Sequence, residues 1–193
     1  VATQWLNADR PEHRVNLGTL FQRQGRWAAA EKEFRAARAL DPSFTPADVG
    51  LAQLFARQGR AEEGEGVLRA ALGKHPDDAD LHHALGLALA RRQRSTEALM
   101  ELARASALAP NNARFAFVHA VALNGAGQAN QALAVLEANH ARHPADRDTL
   151  LALATINRDL GRRTPALAWA EKLAALDPAF RPLAASLRDP PPR

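Results

Sequence analysis

His140 and His143 stand three residues apart in a helical stretch, and His82 and His83 are adjacent; these imidazoles come closest, by type and spacing, to a metal or acid–base centre. Two imidazoles on one helical face can share a metal, but a zinc site takes three or four protein ligands, and neither cysteine nor a nearby acid completes the set. His143 also precedes Pro144 in a turn, and neighbours such as His82 and His83 point in different directions on a helix. No nucleophile, base and orienting group stand at readable spacing, and the glycines do not gather into a phosphate-binding loop. The absence of cysteine removes disulfide and thiol chemistry while leaving the compartment open. The sequence thus predicts no catalytic residue, no metal and no cofactor.

Charge is the remaining chemistry. The chain has 25 Lys and Arg against 21 Asp and Glu, with Lys32, Lys74 and Lys172 its only lysines. Most arginines lie singly between acids such as Glu31, Glu33, Asp41 and Asp48, not in one stripe with interleaved aromatics, which argues against nucleic acid as the partner. One set stands apart: Arg23, Arg57 and Arg91 recur at intervals of 34. Their forked donors could grip carboxylates or carbonyls along an extended partner. The competing explanation is that each ends a helix, where the dipole favours a cation with or without a ligand. No run of about 18 apolar residues suggests a membrane span.

The elements that would position these side chains are set by a period. Pro42, Pro76, Pro110, Pro144 and Pro178 are 34 apart, each following an amphipathic run that a proline must end. With Pro11 as position 1 of a unit, position 15 holds Gly25, Gly59, Gln93, Gly127 and Gly161, where a helix terminus calls for a left-handed backbone. Position 8 holds Gly18, Ala52, Gly86, Ala120 and Ala154, and position 20 holds Ala30, Gly64, Ala98, Ala132 and Ala166, small residues where helices cross closely. Core is expected at Leu17, Leu51, Leu85 and Leu153, at Phe21, Phe55, Leu89 and Leu123, and at Phe34, Leu68, Leu102 and Leu136. Each unit reads as a helix A of about 14 residues, a glycine turn, a helix B of about 13 and a proline turn. Thr45 before Pro46 and Thr164 before Pro165 are expected N-caps. His119 replaces leucine at position 7 and is expected as a hydrogen-bonded core histidine.

The pattern of Leu17-Gly18, Phe21, Gly25, Ala30, Phe34, Ala37 and Pro42, repeated with substitutions, resembles the tetratricopeptide repeat family. The resemblance implies an all-α right-handed superhelix, an α-solenoid of five helix-turn-helix units over 11–44, 45–78, 79–112, 113–146 and 147–180. Residues 1–10, with Trp5 and Leu6, are expected to end a preceding helix or linker, and 181–193 to form a capping helix and a proline-rich tail. The start at Val1, with neither initiator Met nor signal pattern, suggests a processed product or a piece of a longer protein.

In this family helix A lines a concave groove, chiefly at positions 2, 5, 6, 9, 12 and 13. The resemblance therefore implies a mixed binding surface of Asn16, Thr19, Gln22, Arg23, Val49, Gln53, Arg57, His83, Leu87 and Arg91, continuing through Arg114, Phe117, Val121, Asn124, Leu151, Thr155, Arg158 and Asp159. Leu87, Phe117, Val118 and Val121 are expected to lie together as a pocket for an apolar anchor, and Arg26, Arg60, Arg94 and Arg162 to be ordinary turn residues. The Lys and Asn clamp with which some members hold chaperone C-termini is not matched, since Val15, Thr19, Gly50, Asp80 and Ala84 stand there.

The function expected is a protein-interaction scaffold that binds an extended peptide or helix, or other domains of its own parent chain. Two alternatives stand beside it. Segments such as Leu81-His82-His83-Ala84-Leu85-Gly86 are similar to repeats at the C-terminus of bacterial multihaem cytochrome-like proteins, which would make this an accessory module in the periplasm rather than the cytoplasm. The other is an RNA-binding helical repeat, disfavoured by the strict period of 34.

Overall fold

Proline at a helix's first position costs nothing, because its missing N–H would have had no partner there; Pro11 and Pro46 open helices in this way. The computed structural model describes residues 10–188. The expected helix end around Trp5 and Leu6, and the tail from residue 189, lie outside the described residues.

The described chain is all α, and its contacts fall into two units that divide after Leu108. The first unit holds α1 (Pro11–Arg23), α2 (Trp27–Leu40), α3 (Pro46–Arg57), α4 (Ala61–Leu72), α5 (Ala79–Arg91) and α6 (Ser95–Leu108). The second holds α7 (Ala113–Gly125), α8 (Ala129–Arg142), α9 (Arg147–Asp159), α10 (Arg163–Leu176), a 3₁₀ turn (Pro178–Phe180) and α11 (Arg181–Arg188). Within each unit, successive helices pack as hairpins (α1 with α2, α3 with α4, and so on), and hairpins stack on their neighbours.

Inside a hairpin the turn is a left-handed cap. Gly25, Gly59, Gly127 and Gly161 have φ of 72°, 77°, 77° and 72°. The next residue's N–H reaches back to the carbonyl five residues earlier: Arg26 to Phe21 at 2.9 Å, Arg60 to Phe55 at 2.8 Å, Gln128 to Leu123 at 2.9 Å. Gln93 adopts the same conformation, φ 60°, and Arg94 makes the same bond to Leu89 at 3.0 Å. A side chain in this region is strained by about 1 kcal/mol, partly offset by the freer unfolded glycine chain. Gln93→Gly should therefore raise stability by about 0.5 kcal/mol, read as a slightly higher urea midpoint at unchanged slope.

Between hairpins, helix starts are set by an acid or amide two residues after the proline. Asp78, Asn112 and Asp146 accept from the N–H groups of Leu81 (2.9 Å), Phe115 (3.3 Å) and Thr149 (3.1 Å). The expected threonine caps do not form. Thr45 is already helical in its backbone, and its hydroxyl donates instead to Asp78 at 2.6 Å. The last helix B starts at Arg163, so Thr164 and Pro165 lie inside its first turn.

The core uses small residues to admit one large ring. Phe34 is fully buried, and a Cβ added to Gly18 or Gly50 would come within 2.7 Å or 2.5 Å of its ring. Leu51, Leu54 and Phe55 close the cluster over Ala30 and Phe34. In the second unit Ala154, Ala166 and Ala170 pack with Ala184 and Leu187 of α11. Leu17 departs from the expected core: it is 40% exposed where Leu51, Leu85 and Leu153 are at most 1%. Leu51 is covered by the preceding helix B, and no helix precedes α1 among the described residues. His119 is also only half-buried, with no hydrogen bond among the described residues, and burial holds its pKa below the ordinary value.

One hairpin junction is polar. Asn139 occupies position 27, where Ala37, Ala71 and Ala105 stand elsewhere, and it is fully buried. Its amide donates to the Thr149 hydroxyl at 2.7 Å and to the Ala113 carbonyl at 3.2 Å; Thr149 in turn donates to Asp146.

Candidate functional site

In the first unit the arginines divide by what they touch. Arg60 donates to Glu63 at 2.7 Å and to Glu31 of the preceding hairpin at 3.4 Å; Arg94 repeats this with Glu97 at 2.7 Å and Glu65 at 2.7 Å. Arg26 and Arg60 also lie over the rings of Phe21 and Phe55, at 4.3 Å and 4.2 Å. Arg60 and Arg94 thus tie one hairpin to the next and are not the ordinary turn residues the sequence suggests; Arg162 too reaches back, to Asn130 at 2.8 Å. Arg14, Arg35, Arg38, Arg69, Arg92 and Arg104 likewise pair with acids.

Arg23, Arg57 and Arg91 are different. Each sits in the last turn of a helix A, each is exposed, and none has a hydrogen bond or ion pair among the described residues. Gln53 and Leu87 line a shallow cleft between α3 and α5 with Arg91 at its edge. Asn16 is exposed nearby in sequence, while the Thr19 hydroxyl is spent on the Val15 carbonyl at 2.9 Å. Two expected surface residues are buried: Gln22 at 7% and His83 at 9% exposure.

The second unit carries an apolar cleft. Phe117, Val121 and Asn124 of α7 face Leu151, Thr155 and Ile156 of α9 across a cavity of about 300 Å³. A neighbouring cavity of about 460 Å³ is lined by Phe117, Val118 and Arg114, and Asp148 borders both. Leu87 belongs to the first unit's cleft, and Phe117, Val118 and Val121 line the cavities of the second. Arg158 is paired with adjacent Asp159 at 2.8 Å. Asp148, Ala152 and Ile156 of the smaller cavity, and Ala113 and Asp146 of the larger, are lining residues missed from sequence, although Asp148 stands at position 2, on the face already considered.

His140 and His82 are both engaged by neighbouring side chains. His140 sits edge-on to Trp169 at 4.9 Å, with the Lys172 amine 4.1 Å from the same ring; burial, and then the Lys172 charge, hold its pKa down. His82 contacts Glu101 at 2.6 Å through Nδ1 and the Pro76 carbonyl at 2.9 Å through Nε2. Among the described residues no three His, Asp or Glu side chains are grouped to hold a metal, and no helix is long and apolar enough to cross a membrane.

Residues 21–88 match the family model of the tetratricopeptide repeat. Among solved structures the chain is similar to YrrB, described as a TPR protein with an unusual peptide-binding site, at 21% identity and a TM-score of 0.67, over 97% of this chain and 96% of that one. It is similar to pilF of Pseudomonas aeruginosa at 20% identity and a TM-score of 0.74, over 92% and 88%. It also resembles TTC0263, a thermophilic TPR protein of Thermus thermophilus, at 23% identity and a TM-score of 0.65, over 92% and 98%. At these identities the likeness is one of fold. No curated protein sequence matches the chain.

Proposed function

We propose that this chain, whose hairpins are tetratricopeptide repeats, is a scaffold that holds an extended segment of another protein against its helix A faces rather than an enzyme. The observation that carries the reading is the unpaired column Arg23, Arg57 and Arg91, in a unit where eight other described arginines are matched to acids. A helix dipole alone stabilises a terminal cation by only about 0.3–1 kcal/mol, and it asks for no acid-free surroundings. Guanidiniums left without partners are available to carboxylates from outside. Asn16 and Gln53 add amides that can meet a partner's backbone. The peptide-binding site named for YrrB is in keeping with this use of the fold.

The test is the triple replacement Arg23→Glu, Arg57→Glu and Arg91→Glu. Binding of a fluorescent, glutamate-rich synthetic peptide should weaken at least tenfold, with helicity unchanged by circular dichroism. Wild-type affinity should also fall as salt is raised, because exposed charges are screened beyond about 10 Å at 0.1 M. Unchanged affinity with retained helicity would sink the arginine column. A drop in melting temperature with unchanged affinity would return these residues to the role of helix ends.

A further inference from the structure

We infer that the cleft of the second unit takes an apolar side chain whose neighbour in the partner is Lys or Arg, held by Asp148. The inference rests on the scaffold reading above and names the chemistry of its second subsite. Three observations carry it. Val121 is 49% exposed although it is a large aliphatic residue on a packed helix, and Phe117 and Leu151 stand beside it only partly covered. The space between them, about 300 Å³, is at the small end of ligand-binding cavities and suits one anchoring side chain.

The third observation is charge. Asp148 is exposed, borders both cavities, and has neither hydrogen bond nor ion pair among the described residues. The other acid lining these cavities, Asp146, is committed to Thr149 and the start of α9. Arg114 lines only the larger cavity, away from Val121, and forms no ion pair with Asp148. An apolar wall with one free carboxylate at its edge favours an apolar group next to a cation and disfavours an apolar group next to an acid, through like-charge repulsion. The specificity thus differs from that of the arginine column, which takes acids.

The test is selection of random dodecapeptides displayed on phage against the immobilised full chain. Enriched peptides should carry Phe, Leu, Ile or Trp within three residues of Lys or Arg, and synthetic copies should bind at least tenfold more weakly to Val121→Glu. Val121 is exposed, so this variant should keep its helicity. On Asp148→Lys the selected flank should change from Lys or Arg to Asp or Glu. A consensus insensitive to Val121→Glu, or an unchanged flank on Asp148→Lys, would overturn the inference. Acidic peptides lost only on the triple arginine variant would leave the scaffold reading standing and remove this subsite; no enrichment on any protein would remove both.

Discussion

Phe34→Ala should cost about 4 kcal/mol of stability, the range for emptying an aromatic ring from a core that cannot collapse around the hole. The ring is fully buried and spans two hairpins, lying against Gly18 of its own helix A and Gly50 of the next. Those glycines make room for the ring: in the following repeat, where Leu68 takes the place of Phe34, the corresponding residues are Ala52 and Ala84. Gly50→Ala alone should therefore destabilise, because its Cβ would fall 2.5 Å from the ring, whereas Phe34→Leu with Gly50→Ala should recover most of the loss. Repeats contact mainly their neighbours, so the damage should be local. Hydrogen exchange should show α1 to α3 losing protection while the second unit keeps it; uniform loss across both units would contradict this account.

Glu65→Gln should cost about 2–3 kcal/mol near neutral pH, and the cost should shrink in acid. Glu65 is 7% exposed and accepts from three guanidiniums: Arg69 at 2.8 Å, Arg94 at 2.7 Å, and Arg92. Its partners are 28% to 46% exposed, which keeps the figure below that of a fully buried pair. Burial alone would raise the Glu65 pKa, but the hydrogen bonds from Arg69 and Arg94 outweigh it and hold the carboxyl below its ordinary 4.5. A group depressed on folding adds stability above its unfolded pKa and loses it as pH falls through the folded value. Wild type and Glu65→Gln should thus differ most near neutrality and converge as the pH drops below 4.5, read as urea midpoints. A difference constant with pH would mean that the charge is not what matters.

Much of the fold is legible because backbone chemistry repeats with it. The glycines at position 15 and prolines at position 32 mark the turns directly, and even Gln93 follows the left-handed geometry its position demands. Side chains that reach between hairpins are harder to read. The Arg94–Glu65 bond spans 29 residues, and only the period makes such a partner conceivable; Thr45 looked like a cap because Asp78, which claims its hydroxyl, is 33 residues away. Asn139 and Thr149 stand out as polar residues at apolar positions, but their pairing needs the knowledge that positions 27 and 3 meet. At the candidate site, residue types were visible and exposure was not. Gln22 and His83 share the nominal binding face yet turn inward, while Asp148, equally placed by register, is open.

The Asp78 carboxylate is divided between two duties: one oxygen receives the Leu81 N–H that starts α5, and the other receives the Thr45 hydroxyl at the start of α3. It is therefore a ruler. Asp78 must follow Thr45 by 33 positions for both bonds to form, and one residue more or fewer would carry the cap or the tie out of reach. Here the gap-free spacing is a geometric tolerance that the second hairpin enforces on itself, and length variation has to be absorbed elsewhere in the chain.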